Sequence, residues 1–212
     1  MTISHIRLPL PGVASRLRED GKWAAEHVAF TSVLGSPFVP RLVRQAALRL
    51  AGSHVGSGPG TGFSLSGSPR NLTVGSNVYF NKGVYIEAVG AVTIGDGCAL
   101  GMQAMIVTSH HDIPETGGWS AEATGRPVSI GERVWIGARV VVLPGAVIED
   151  DVVVAAGAVV TGRLLSHGVY AGVPARRIKE LLPAVREPAV EVVGADAVDV
   201  DGAVADAGVR AA

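Results

Sequence analysis

From Val74 onward, large aliphatic or aromatic side chains return at every sixth residue. They fall in three blocks: Val74, Phe80, Ile86; then Ile94, Leu100, Ile106; then Ile130, Ile136, Val142, Ile148, Val154, Val160. Four residues after a marker comes a second small or aliphatic side chain, as at Val78, Cys98, Ala104, Val134, Val140, Ala146 and Ala158. An α-helix turns once in about 3.6 residues and would scatter this repeat around its surface, whereas a sandwich strand would alternate strictly. A period of six suits a short strand plus a corner, three such units closing one triangular coil. The pattern therefore predicts an all-β parallel β-helix with the markers pointing inward. Glycine follows the marker at positions 75, 95, 101, 131 and 137, where the missing Cβ is expected to let the chain turn a corner. Stacked coils would then satisfy one another's backbone groups and bury each marker between its neighbours.

The repeat is interrupted twice. Ile86 and Ile94 are eight residues apart, so two extra residues sit in the corner "AVGAV". Ile106 and Ile130 are twenty-four apart, and the stretch "IVTSHHDIPETGGWSAEATGRPVSIG" carries two adjacent histidines and no marker between residues 112 and 126. It reads as a loop, residues 111–127, extruded from a β-helix domain spanning 61–174. Residues 1–60 read as a helical and irregular segment. Within it "SPFVPRLVRQAALRLAG" places Leu42, Ala46, Arg49 and Leu50 at helical spacing and ends on Gly52. A short C-terminal helix is expected over 175–183. The tail 184–212, rich in Ala, Val and Asp, is expected to be disordered.

Composition narrows the picture. Hydrophobic residues make up 48% of the 212-residue chain, yet aromatics only 5%, so small and β-branched side chains must build the core. Eighteen basic residues against nineteen acidic ones give no reason to expect a nucleic-acid partner. The one cysteine, Cys98, excludes an internal disulfide and falls at an inward position, where small-core packing outweighs a nucleophilic role. No apolar run is long enough for a signal sequence or a membrane span, so a cytoplasmic location and no membrane partner are expected.

Two stretches carry a resemblance. "PVSIGERVWIGARVVVLPGAVIEDD" and "VVAAGAVVTGRLLSHGVYAGVPARRIKEL" resemble the coils of the hexapeptide-repeat acyltransferases, in particular the O-acetyltransferases of sugars and exopolysaccharides such as the maltose and galactoside enzymes. The likeness covers residues 70–182 and implies a left-handed coil, a homotrimer, acetyl-CoA as co-substrate and a sugar or glycosylated or hydroxylated metabolite as acceptor. In this family a histidine at the start of the extruded loop is the base, faced by an asparagine two coils earlier. Asn81 and His111 stand thirty residues apart, the spacing the resemblance implies, which makes His111 the catalytic residue and Asn81 an acceptor ligand. His110, four residues after Ile106, is expected to turn inward and to pack or orient on the acceptor side. Trp135 matches a tryptophan near the family's site. The resemblance further implies a pantetheine groove along Gly137, Ala138 and Ala156, with Arg176 and Arg177 meeting the nucleotide phosphates. Gly162 and Arg163 replace the family's usual lysine-aspartate, leaving Arg163 as a substitute contact to coenzyme A.

Acetyl transfer to a hydroxyl needs a base, because an alcohol is a poor nucleophile while it holds its proton, and imidazole titrates near neutrality. The same histidine would serve an antibiotic or an amino sugar. A carbonic-anhydrase-like metal enzyme on the same prism would need three converging histidines, and His5, His27, His54 and His167 lie outside the central coils.

Overall fold

A computed structural model of the protein describes residues 28–182 without interruption, together with Gly12, Ser15, Leu17, Arg18, Asp20, Gly21 and Ala24. The predicted tail 184–212 lies outside the described residues.

The sixfold markers become short parallel strands on three faces. The first face stacks β1 (His54–Val55), β3 (Leu72–Val74), β6 (Val92–Ile94), β11 (Val128–Ile130), β14 (Val147–Ile148) and β17 (Arg163–Leu164). The second stacks β4 (Tyr79–Phe80), β7 (Ala99–Leu100), β12 (Trp135–Ile136), β15 (Val152–Val154) and β18 (Gly168–Ala171). The third holds β2 (Ser64–Gly67), β5 (Tyr85–Ala88), β8 (Met105–Ile106), β13 (Val141–Val142) and β16 (Val159–Val160). Each coil visits the faces in that order, and marker pairs with marker: Val74 with Ile94, Phe80 with Leu100, Ile86 with Ile106. Every marker is at most 4% exposed, and all but Phe80 and Val160, which end their faces, sit between strand residues above and below. Burying such a side chain contributes about 1.5–3 kcal/mol, which makes this column the main source of cohesion. The first rung lies at residue 54, seven residues before the boundary the pattern gave.

The corners work differently from the expectation. The left-handed backbone falls three residues after the marker, not one, at Asn77, Gly83, Gly97, Gln103, Arg133, Arg139, Gly145, Asp151 and Gly157. A non-glycine there costs on the order of 1 kcal/mol. Stacked corner residues bond to one another: Arg133 donates to Asp151 at 2.7 and 3.0 Å, and Arg139 to Gln103 at 2.9 Å. The glycines after the markers answer a different need. A Cβ on Gly95 would lie 2.6 Å from the carbonyl carbon of Gly131, and one on Gly101 the same distance from the amide of Ala138. They are required by the closeness of the next coil.

The N-terminal helix forms as α1 (Arg41–Leu50), but the face it buries is not the aliphatic one. Leu42 and Leu50 are exposed, while Arg44 and Leu48 point inward. Arg44 is held there because its guanidinium donates to the carbonyls of Leu34 (2.6 Å), Ser36 (2.6 Å) and Pro59 (3.0 Å). The expected C-terminal helix is absent: Arg176–Glu180 forms β19, antiparallel to β18 at the edge of the second face. That edge would otherwise leave backbone groups unpaired, and a returning strand satisfies them where a helix could not.

Candidate active site

Both interruptions of the repeat meet at one corner, between the third face and the first. The three-residue corner between β5 and β6, residues 89–91, makes a platform, and the chain leaves the prism directly above it. Thr108, fully buried, takes the last inward position after Ile106; its hydroxyl donates to the Glu87 carbonyl (2.7 Å) and accepts from the Gly90 amide (2.9 Å). The inward place expected for His110 is thus filled two residues earlier, and His110 stands partly exposed with Nε2 3.4 Å from Asp112. Gly90 and Gly125 lie back to back: a Cβ on Gly125 would come within 2.7 Å of the Gly90 amide. Here the extruded loop is not irregular. It begins as an antiparallel ribbon of β9 (Ser109–His111) and β10 (Ala123–Gly125), His111 opposite Ala123.

Glu87 pins the foot of the ribbon. Its Oε2 accepts from the amide and the hydroxyl of Ser109, at 3.1 and 2.6 Å. Two residues on, His111 Nδ1 lies 2.8 Å from the Ser120 carbonyl, and its ring meets Trp119 edge-on at 5.3 Å and 88°. A carbonyl oxygen can only accept, so Nδ1 carries a proton, and in the neutral ring Nε2 is the nitrogen with the lone pair. The imidazole is exposed, held in one orientation and presented in the tautomer of a base. Sequence reasoning missed Glu87, Thr108, Trp119 and Ser120. The overlap of two irregular corners was the only signal that could have located Glu87.

A groove of about 510 Å³ runs along another corner, where the second face turns into the third. Asn81, Trp135, Gly137, Ala138 and Ala156 line it, five residues the sequence proposed, together with Gly101, Met102 and residues 153–155. The missed members occupy the same places in other coils: Asn81, Gly101, Gly137 and Ala155 each follow a marker of the second face. Asn81 Oδ1 accepts from the Lys82 amide at 2.7 Å, which leaves the side-chain NH2 as the group it offers the groove. His111 does not line this groove, so a single chain does not bring His111 and Asn81 together.

Of the three arginines, Arg176 and Arg177 lie on a strand and not at the start of a helix. Arg163 lies on the first face and bonds Glu149 at 2.7 Å. The Ser166 amide, then Arg163 and the Ser166 hydroxyl, hold the Glu149 carboxyl down at about 2. Arg177 donates to the carbonyls of Ser166 and His167 and covers the Tyr170 ring, locking the last coil. Arg176 is exposed on β19. Cys98 is a core thiol: Sγ donates to the Gly131 carbonyl at 3.0 Å, and burial pushes its pKa up. Among the described residues no three His, Cys, Asp or Glu side chains group so as to hold a metal ion, and no helix is long and apolar enough to cross a membrane.

Residues 127–162 match the family model described as bacterial transferase hexapeptide (six repeats). The chain is 31% identical to the putative colanic acid biosynthesis acetyltransferase WcaF of Escherichia coli, over 74% of this chain and 84% of that one. It is 35% identical to the galactoside O-acetyltransferase of the same organism over 52% of this chain and 55% of that protein; the matches to the first curated relatives span about half their length. A solved structure of galactoside acetyltransferase in complex with coenzyme A superposes with a TM-score of 0.64 at 25% identity, covering 82% of this chain and 86% of that one. The protein belongs to the hexapeptide-repeat acetyltransferase family.

Proposed function

We propose that this protein is an O-acetyltransferase that moves the acetyl group of acetyl-CoA to a hydroxyl of a sugar or of a glycosylated or hydroxylated metabolite, with His111 as general base. The observation that carries this reading is the bond between His111 Nδ1 and the Ser120 carbonyl. Nε2 of His111 takes the proton of the acceptor hydroxyl while that oxygen bonds to the thioester carbonyl carbon. As the carbon–sulfur bond breaks, the imidazolium returns the proton to the departing thiolate. Between the two events the Ser120 carbonyl supports the charged ring through a stronger, charge-assisted bond. The NH2 of Asn81 donates to an acceptor oxygen and fixes the angle of attack.

The groove suits the pantetheine arm, because Gly101, Gly137, Ala138 and Ala156 leave the coil backbone uncovered along its length. Arg176 is the candidate for the nucleotide phosphates, since Arg163 and Arg177 are already engaged. The reading also includes a homotrimer in the cytoplasm, where acetyl-CoA is at hand. Two observations support the trimer. The ribbon and the groove occupy different corners of one prism, so a complete site needs the ribbon of one subunit against the groove of the next. Such a contact is head-to-tail, the kind that builds closed rings, and three is the ring size that the family resemblance implies. Ile113, Trp119, Met102 and Trp135 are exposed apolar side chains on these two surfaces.

The test is thiol release from acetyl-CoA across a panel of sugars, amino sugars included, with His111→Ala and Asn81→Ala as separate variants. Each alone should be inactive or nearly so. Mixed and refolded together, they should recover part of the activity, because some interfaces then pair two intact halves. A mixture as inactive as its components would overturn the shared site, and full activity in His111→Ala would remove the catalytic assignment.

A further inference from the structure

Asn81 lines two hollows. Besides the groove, it borders a cleft of about 300 Å³ between the start of α1 and the corner after β4, bounded also by Arg41, Arg44, Thr61, Tyr79 and Lys82. Three of these are cations, and no Asp or Glu lines the cleft. Arg44 lies buried beneath it with three neutral carbonyls as its partners, so its charge is solvated by dipoles and not neutralised. Burial first, and Arg41 second, lowers its pKa, yet a guanidinium stays charged under any ordinary condition. Arg41 rests over the Tyr79 ring at 5.3 Å, and neither it nor Lys82 pairs with a carboxylate among the described residues. The first turn of α1 opens here with no acidic side chain, adding its own positive end.

Elsewhere Arg126, Arg133, Arg163 and Arg177 each have a carboxylate within reach. Other cations meet other partners: Arg49 bonds the Val55 carbonyl and Arg139 the Gln103 amide oxygen, singly and on open surface. Net charge is −1, so the positive field at the cleft is a local arrangement in a nearly balanced chain. A neutral sugar would leave that field unrelieved; an anion would meet it in a partly enclosed space, where charge-assisted bonds are strong.

Resting on the proposed acetyl transfer, we infer that the acceptor is anionic, its carboxylate or phosphate seated in this cleft between Arg41 and Lys82 while its reacting hydroxyl lies at Asn81. The cleft meets the groove at Asn81, so an acceptor held by its charge on one side offers a hydroxyl to the thioester on the other. The volume falls at the lower end of small-molecule sites, about 300–1,000 Å³, and admits one sugar ring better than a chain.

Three probes test this with the full chain: methyl glucoside, methyl glucuronide and methyl glucoside 6-phosphate, each with acetyl-CoA. Turnover is read by thiol release and direct binding by ligand-observed NMR. The expected result is a kcat/KM about tenfold or more higher for an anionic acceptor than for the neutral one, fading as salt is raised. The anion that carries the preference tells carboxylate from phosphate. In the variant Arg41→Gln/Lys82→Gln the preference should shrink to within about twofold, with KM for acetyl-CoA unchanged. Both side chains are exposed, so the fold should survive. A preference for the neutral acceptor, or an anionic preference that outlives the double substitution, would overturn the inference. A defect confined to KM for acetyl-CoA would overturn it too, giving the cleft to the donor's phosphates. If no probe is acetylated but an anionic one binds the wild type and not the variant, the cleft stands and acetyl transfer fails. If none binds, the cleft fails.

Discussion

At Val107 the protein changes the way it fixes its side chains. Up to that point, and again after Pro127, position is set by stacking: markers pair with those of the next coil, and an error in one coil would be felt in its neighbours. Between them the ribbon is set by a handful of polar bonds, from Glu87 to Ser109 at its foot and from His111 to Ser120 near its tip. The prism is redundant and the ribbon is not. The base proposed at His111 must be held in one tautomer yet remain open to a substrate, and the second kind of construction allows that. A side chain locked into the column could never reach a hydroxyl.

Substitutions in the two regions should therefore separate activity from stability. His111→Ala should lower kcat by about 10²–10⁴ and leave the thermal midpoint where it was; a large loss of stability would mean the ribbon is structural. Ile136→Ala should do the reverse, costing about 2–5 kcal/mol in denaturant unfolding, since Leu100 and Val154 both lose a neighbour. Gly95→Ala should cost about 1–3 kcal/mol through the 2.6 Å approach to Gly131, while Gly162→Ala, with open space around it, should be nearly silent. Equal effects would show that coil spacing is not what demands glycine.

Glu87→Gln blurs the boundary between the regions on purpose. It weakens the charged acceptor of two bonds, so kcat should fall roughly tenfold with coenzyme A binding and unfolding little changed. Recovery in Glu87→Asp would point to geometry. The smallest effect belongs to the last coil. The Glu149 carboxyl is held at about 2, below its ordinary 4.5, so its contribution is complete above pH 4.5 and disappears as pH falls through 2. Amide exchange in β17 and β18 should quicken over that window, and Glu149→Gln should abolish the dependence.

The prism was legible because its signal is arithmetic: a buried side chain every six residues leaves little choice of fold. Five residues to which the family resemblance pointed, Asn81 and Gly137 among them, line one groove, because equivalent places in successive coils are neighbours in space. What could not be read involved contacts that keep no period. Glu87 reaches Ser109 across twenty-two residues, and nothing in "YIEAVG" announces it. Arg44 is buried by three carbonyls that lie eight, ten and fifteen residues away, a meeting that no helical pattern announces. Arg176 and Arg177 looked like the start of a helix, because "RRIKELL" suits one locally; the open edge of the second face decided otherwise. His110 was assigned by counting on from Ile106, and the count failed where Thr108 closed the rung early.

The coils on either side of the ribbon pair as though it were not there: Ile94 with Ile130, Leu100 with Ile136, Ile106 with Val142. An excursion that returns to the same partners imposes no strain on the wall it leaves. Residues 112–118 can thus be lengthened, shortened or rewritten by evolution or by an engineer, with the scaffold indifferent to the outcome, provided Trp119 and Ser120 still meet His111. A catalyst built this way can change its customers without rebuilding its house.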